Sequence, residues 1–159
     1  MEKFTMHQLD HIDLQLIEEL QKDGKQSIKQ LAHKVNLSIT PTHERIKKME
    51  TNGVIDKYIA VVNPKSLGKN LVVYCQVTLV KHQETFFNEF EEYVADINEI
   101  VEVSYIAGAY DFLLKLILKD MNDYQNFVIK KISQLEIISS IQSSFVMKQT
   151  KNTIKIPLR

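Results

Sequence analysis

The 159-residue chain has one cysteine, no excess charge of either sign and no long apolar run. The single Cys75 excludes a disulfide framework or a cysteine-based metal cluster within one chain, and its apolar surroundings predict a buried thiol. Twenty Lys and Arg balance twenty Asp and Glu, so the net charge does not point to nucleic acid or membrane as a partner. The apolar stretches 71–80 and 112–118 are far shorter than the ~20 residues of a membrane span, and residues 1–10 hold no signal-peptide core. We therefore expect a soluble cytoplasmic protein.

The hydrophobic pattern changes near residue 60, from helical periodicity to alternating and β-rich runs. The dipeptide Asn63-Pro64 is typical of a junction between elements. Because 159 residues with 44% hydrophobic content can form one core or two small ones, the change predicts two domains of different class. The expected boundaries are a helical domain over 1–57, a linker over 58–69 and a mixed domain over 70–159.

Three short helices are predicted in the first domain. Asp10 is a suitable N-cap for the first helix, and Gly24 lies just past its end. Ser27 and Gln30 have the spacing of a capping box, which predicts the start of the second helix. The apolar positions of the first helix recur on one face, at Leu9, Ile12, Leu16, Ile17 and Leu20.

The third helix is predicted between a polar cap and a glycine stop. Ser38 or Thr40 can cap it, Pro41 is tolerated in its first turn, and Asn52-Gly53 ends it. Ile46 and Met49 supply its buried face. The second and third helices, over 27–35 and 38–51, are separated by a short turn, as in a helix-turn-helix.

The second domain reads as strand, helix, strand, strand, helix, strand. The order βαββαβ is that of the ferredoxin-like unit, in which two helices cover one face of an antiparallel sheet. The fold class is therefore α+β, and we expect an oligomer interface to hide the other face of the sheet. The predicted elements are strands at 71–80, 101–106, 110–118 and 141–148, a helix at 85–95 and a helix capped by Asp120 or Asn122.

The region around the predicted third helix is locally basic within a neutral chain. Between Lys25 and Lys48 there are six basic residues and a single acidic one, Glu44, which gives this segment a charge of about +5. With Ile46 and Met49 turned inward, helical geometry places other side chains on the solvent side. The side chains that point outward are those of Thr40, Glu44, Lys47 and Lys48, and His43 and Arg45 lie on the flanks of this face.

Several spaced motifs resemble those of the Lrp/AsnC regulators, the leucine-responsive and asparagine-responsive family of bacteria and archaea. The first group matches the family's helix-turn-helix, at 9–13, 37–38, 44–50 and 53–55. The second group is Gly108-Ala109-Tyr110-Asp111-Phe112-Leu113-Leu114, which resembles the effector-domain signature, with Asp120-Met121 and Tyr124 opening the next helix. The resemblance covers about residues 8–157.

The resemblance implies a winged-helix-like DNA-binding domain, a linker strand near 58–62 and a ferredoxin-like domain that dimerises and assembles further, typically into octamers. It implies a transcriptional regulator rather than an enzyme, with double-stranded DNA as a partner, an amino acid as effector, and no metal or cofactor. The implied DNA-binding residues are Thr40, Thr42, His43, Arg45, Lys47 and Lys48. The implied effector-site residues are Gly108, Ala109, Tyr110, Asp111, Met121 and Tyr124.

The chemistry of these residue types fits both roles. Thr can meet a base edge or a thymine methyl group, and Arg and Lys can hold phosphates or guanine. Glu44 can accept from a cytosine amine or pair with Lys48, and we expect the pairing. Gly108 allows close backbone approach, and Asp111 can meet an effector ammonium or hold local N–H groups in a turn. Ala109 stands where many family members have a polar or charged residue.

Two other functions compete with a ligand-responsive regulator. A nucleoid-architectural protein would make the same DNA contacts without an effector. Sirohaem decarboxylases resemble the family in fold and act through histidines, but of the five histidines only His82 lies in the second domain, which leaves no histidine pair there for acid-base work.

Overall fold

The computed structural model describes residues 9–158. Its backbone contacts divide the chain into two compact units, one made of residues up to 61 together with 153–158, and the other of residues 62–152. The sequence placed the tail in the second domain, whereas the structure groups it with the helical unit. Two hydrogen bonds fix it there: Ile156 N–H donates to Gln21 Oε1 at 2.7 Å, and Gln21 Nε2 donates to the Ile156 carbonyl at 3.2 Å.

The first unit contains three helices, α1 (His11–Lys22), α2 (Ile28–Lys34) and α3 (Ile39–Thr51). The predicted capping box of Ser27 with Gln30 is confirmed, and so is Asp10 as the N-cap of α1, where Asp13 completes a second, unpredicted capping box. Ser38 occupies the N-cap position of α3 but makes no side-chain cap bond. The helices pack around a small apolar core of Leu16, Leu31, Val35, Ile46 and Met49.

The segment expected as a linker strand, 58–62, is irregular chain without strand pairing in the single chain. Within the described residues, no backbone hydrogen bond joins residues 56–62 to another part of the chain. Four of its large apolar side chains are exposed, with Val61 at 76% the most. A β-strand needs a neighbouring strand to pair with, so the predicted linker strand is not formed in a single copy of the chain. A 3-10 turn, Pro64–Leu67, follows.

The second unit has the predicted order βαββαβ. Its elements are β1 (Leu71–Leu79), α4 (Glu84–Ala95), β2 (Ile100–Tyr105), β3 (Phe112–Leu118), α5 (Met121–Phe127) and β4 (Ile138–Phe145). Asp120 caps α5 as expected, and α5 runs on into a π turn at Val128–Ile132. The last strand begins at Ile138, three residues earlier than predicted, because the pairing with β1 extends to Leu79.

The four strands form one antiparallel sheet in the order β2-β3-β1-β4. Alternate residues of β1 and β3 are fully buried against α4 and the α5 region, so both helices cover the same face. The residues between them, such as Tyr74 and Ile117, lie on the other face and are half-buried. The sheet therefore has one covered and one uncovered face in the single chain, as the sequence indicated.

Cys75 lies on the covered face and is 1% exposed, which confirms the prediction of a buried thiol. Burial raises the pKa of this thiol, and its Sγ lies 3.2 Å from the Ser143 hydroxyl. Among residues 9–158 no group of three His, Cys, Asp or Glu side chains is placed to hold a metal ion. No helix in that range is long and apolar enough to cross a membrane.

Candidate nucleic-acid interface and effector loop

The turn between α2 and α3 sets the position of α3. Asn36 has a positive φ of 54°, a conformation that asparagine tolerates better than most residues. The following Leu37 N–H donates to the Ala32 carbonyl at 3.0 Å, which closes the end of α2. Ser38 is extended and starts α3. This four-residue turn joins two amphipathic helices and gives the first unit a helix-turn-helix.

One side of α3 is exposed and carries polar and basic groups. Four of the six predicted DNA-binding residues are exposed there: Thr40, His43, Lys47 and Lys48. Glu44 is also exposed on this side of the helix.

The expected ion pair between Glu44 and Lys48 is absent from this described helix, although both side chains are exposed. Two long side chains in water lose more conformational freedom in pairing than the weak attraction returns, which is why such pairs are often not formed. Glu44 therefore stays available on the same face as Lys47 and Lys48.

Thr42 does not belong to the exposed face, which corrects its assignment as a DNA contact. Its side chain is fully buried, and its hydroxyl donates to the Ser38 carbonyl at 2.9 Å. It lies four residues before Ile46 and seven before Met49, so helical periodicity places all three on the core side. Thr42 therefore packs the helix-turn-helix and does not face DNA.

Arg45 is held by two carboxylates of the neighbouring helix. Its Nη1 lies 2.7 Å from Asp10 Oδ2 and 2.7 Å from Asp13 Oδ1. The hydrogen bonds to Asp13 and Asp10 raise the pKa of Arg45, and a backbone hydrogen bond from Asp13 together with Arg45 lowers the pKa of Asp10. The guanidinium thus bridges α3 to the N-terminal cap of α1.

In the second unit, the predicted effector loop lies between β2 and β3. Gly108 and Ala109 are exposed, and Tyr110 is half-buried. The backbone of Gly108 lies outside the left-handed region, and a Cβ added there would meet only Ile106, at 3.8 Å. Nothing within the described chain therefore requires glycine at this position.

Asp111 is buried at the end of this loop and serves the sheet. Its Oδ2 accepts from Leu79 N–H at 2.7 Å, while its own backbone N–H donates to the Val77 carbonyl at 2.9 Å. Its Oδ1 lies 3.0 Å from Nδ1 of the exposed His82. The carboxylate thus holds a backbone N–H group, but that group lies on the neighbouring strand β1, 32 residues away, and not within the turn as the sequence suggested.

Met121 and Tyr124 lie at the opposite end of β3 from the loop. The seven residues of β3 separate the two groups, a span of roughly 20 Å at the usual rise per residue. Met121 is exposed, and Tyr124 packs edge-on against Phe145 with ring centroids 5.0 Å apart. One chain therefore does not bring the six predicted effector residues into one site.

Comparisons with known proteins agree with this architecture. Residues 9–56 match the model of winged helix-turn-helix DNA-binding domains, and residues 72–156 match that of the Lrp/AsnC ligand binding domain. The chain belongs to the Lrp/AsnC family. The family and the α+β fold class inferred from the sequence are thus confirmed.

Curated relatives and solved structures cover nearly the whole chain. A proline dehydrogenase transcriptional activator of Rhizobium radiobacter is 38% identical over 91% of this chain and 93% of its own. A leucine-responsive regulatory protein of Haemophilus influenzae is 37% identical over 96% of this chain and 92% of its own length. The solved structure of an AsnC family regulator from Agrobacterium tumefaciens has a TM-score of 0.90 at 33% identity, and the match covers 94% of this chain and 97% of that one. A Neisseria meningitidis regulator in complex with L-Met has a TM-score of 0.90 at 29% identity, with the same coverage. The chain is therefore a DNA-binding transcriptional regulator of this family.

Two features of this Lrp/AsnC chain were missed by sequence reasoning. The partners of Arg45, Asp10 and Asp13, are 35 and 32 residues away; Asp10 was interpreted only as a helix cap, and Asp13 only as part of the 9–13 motif. The sequence singled out His82 only as the one histidine of the second domain; its side chain is exposed and contacts Asp111. The antiparallel pairing of β1 with β3, which brings Val77 opposite Phe112, is the signal that would have placed His82 near Asp111.

Proposed function

We propose that this regulator acts in the cytoplasm by binding double-stranded DNA as a homo-oligomer, through the exposed face of α3, and that an amino acid bound at the 107–111 loop changes its assembly or DNA affinity. Dimers would place two α3 helices on a pseudo-palindromic site with half-sites about one helical turn apart. The function is binding rather than catalysis. The observation that carries the proposal is the exposed polar and basic side of α3 in a helix-turn-helix.

The exposed charge near α3 supports contact with phosphates. Of the six basic residues between Lys25 and Lys48, Arg45 is paired with two carboxylates and Lys34 contacts Glu19. The other four are exposed, at Lys25, Lys29, Lys47 and Lys48. Lysines on one segment of a neutral protein concentrate the positive potential that DNA binding needs.

The exposed apolar surface supports self-association. The sheet leaves Val72, Tyr74, Leu113 and Ile117 only half-buried on its uncovered face. In the linker, Ile59 and Val61 are 60% and 76% exposed. Apolar patches of this kind on a folded chain are typical of interfaces, and a second copy of the chain would cover them.

The loop at 107–111 supports an effector site shared between copies. Gly108 is not required by the conformation of its own chain, so we infer that its missing side chain makes room for another molecule. The separation of Met121 and Tyr124 from this loop means that a site using all six residues would draw on two copies. A structural neighbour binds L-Met, which makes amino acids the first ligands to test.

The test is an electrophoretic mobility shift with the DNA upstream of this protein's own gene, with and without the twenty amino acids, at near-physiological salt. We expect a shift that resists competitor DNA and changes with the amino-acid pool. A matched variant, Lys47→Gln, should weaken the shift. Sedimentation of the same samples reports assembly separately, and a protein that stays monomeric throughout would contradict the oligomeric part.

A second candidate is an architectural DNA-binding protein without an effector. Both carboxylate oxygens of Asp111 already have partners, Leu79 N–H and His82, which leaves this residue poorly placed to receive an ammonium group. Selection of bound fragments from genomic DNA separates the two candidates. A regulator enriches a few sites, whereas an architectural protein enriches broad regions with weak sequence preference.

A further inference from the structure

Arg45 has the residue type and helix of a DNA contact, but its surroundings differ from those of the other basic residues on α3. Lys47 and Lys48 are exposed, whereas the Arg45 side chain is 32% exposed and lies between Asp10 and the 15%-exposed Asp13. The two carboxylates carry more negative charge than the guanidinium carries positive. The cluster therefore offers no net positive charge to a phosphate.

The cluster also connects two structural features that determine where α3 lies. Asp10 and Asp13 form the capping box of α1, with Asp13 N–H donating to Asp10 at 2.9 Å and Asp10 N–H donating to Asp13 at 3.2 Å. Each carboxylate uses its remaining oxygen for Arg45 Nη1. One guanidinium nitrogen thus fixes the middle of α3 to the first residues of α1, through hydrogen bonds of the strong, charge-assisted kind.

We propose that Arg45 is a positioning residue for DNA binding, which holds α3 against the cap of α1 and makes no phosphate contact of its own. Arg45 Nη1 is already engaged by Asp10 and Asp13, so a phosphate that approached the remaining guanidinium N–H groups would also approach these two carboxylates. Both carboxylates would then repel the phosphates. The contribution of Arg45 is therefore the orientation of Lys47, Lys48 and the other exposed residues of α3.

The two possible roles predict different responses to salt. Each lysine or arginine that neutralises a phosphate adds about 0.9 to the slope of log affinity against log salt concentration. The slope can be measured on a mixed-sequence duplex of about 40 base pairs, so it does not depend on knowing the operator. The full-length wild type and its Arg45→Gln, Asp13→Asn and Lys47→Gln variants are compared from about 50 to 250 mM NaCl.

We expect Arg45→Gln and Asp13→Asn each to lower the affinity about tenfold without changing the salt slope. Their double variant should lose no more affinity than the weaker-binding single variant, because both remove the same bridge. Lys47→Gln carries the same charge change as Arg45→Gln on the same helix, and should reduce the slope by about 0.9 per bound subunit. If Lys47→Gln has the same affinity and the same salt slope as the wild type, the result counts against the α3 interface of the proposed function rather than against this inference.

Three results would overturn the role of Arg45. A reduced slope in Arg45→Gln would make it a phosphate contact, and tighter binding by Asp13→Asn would mean that the carboxylate only repels the DNA. The affinities are measured at a temperature where circular dichroism shows all proteins folded. If both variants then bind DNA as tightly as the wild type, Arg45 contributes to stability alone. Thermal unfolding of the single and double variants checks the bridge itself, since additive losses in Tm would show that residues 13 and 45 do not interact.

Discussion

The two units of this chain are stabilised in different ways. Among its described residues, the helix-turn-helix unit has five in its buried cluster and adds ionic bridges. Arg45 with Asp10 and Asp13, and Glu19 with Lys34, connect different helices, while Glu19 with Lys22 lies within α1. The ferredoxin-like unit has thirteen residues in its buried cluster and a continuous sheet. The second unit has an ionic bridge as well, Lys131 with Glu99 at 2.7 Å, but next to a much larger apolar core. Because ionic bridges depend on pH and salt and apolar burial does so only weakly, we expect pH and salt to have the larger effect on the DNA-binding unit.

The largest expected effects come from core truncations, which test whether the two clusters are separate. Phe112→Ala should cost about 3 to 5 kcal/mol, and Leu16→Ala about 2 to 5 kcal/mol, because both side chains are fully buried. Hydrogen exchange should rise over 71–145 in the first variant and over 9–55 in the second. If each variant raises hydrogen exchange equally in both ranges, the two units unfold together and their buried clusters are not independent.

An intermediate effect is expected at Asp111, where the second unit does depend on a charge. Asp111→Ala leaves the Leu79 N–H without its buried acceptor and should cost about 1.5 to 3 kcal/mol in urea unfolding. The matched His82→Ala variant removes only the exposed partner, so its cost should be about 0.5 kcal/mol or less. Equal losses in the two variants would show that the carboxylate is held by the imidazole and not by the sheet.

The smallest expected effect is the acid sensitivity of the first unit. Hydrogen bonds from Lys22 and Lys34 lower the pKa of Glu19 from 4.5 to about 2. A carboxyl whose pKa is lower in the folded state stabilises the fold above its unfolded pKa, and this stabilisation is lost as the pH falls from about 4.5 towards 2. The Tm of Glu19→Gln should therefore depend less on pH across that window than the wild-type Tm.

The control for this comparison is Glu18→Gln, since Glu18 contacts Lys22 alone. Its Tm should follow the wild-type pH dependence closely. A Glu19→Gln profile that is parallel to the wild type below pH 4.5 would show that the Glu19 bridges contribute nothing to folding.

Local features of this fold could be predicted from the sequence, because they depend on neighbours along the chain. The N-cap at Asp10, the capping box at Ser27 and the hairpin across 107–109 are of this kind, and they are present in the structure. Thr42 was misplaced because its role was taken from the family resemblance, although its spacing from Ile46 and Met49 already indicates the core side of the helix. The pairing of Arg45 with Asp10 and Asp13 could not be predicted, because these partners lie 35 and 32 residues away at the start of another helix.

The candidate effector site was the least predictable part. The motif at 108–111 and the residues Met121 and Tyr124 are close in sequence, but β3 separates them along its whole length. Proximity in sequence across a strand does not give proximity in space, since a strand rises about 3.3 Å per residue. What a second copy of the chain contributes to such a site is not encoded in any pattern within a single chain.

The pairing of Gln21 with Ile156 bears on how the protein is made. The two residues are 135 positions apart, so the ribosome releases the partner of α1 only after nearly all the rest of the chain has been synthesised. Domains generally fold in the order in which they emerge. Here the helices that emerge first receive their final backbone partner last, and a nascent chain stalled before residue 156 would expose a DNA-binding unit whose first helix still lacks that contact.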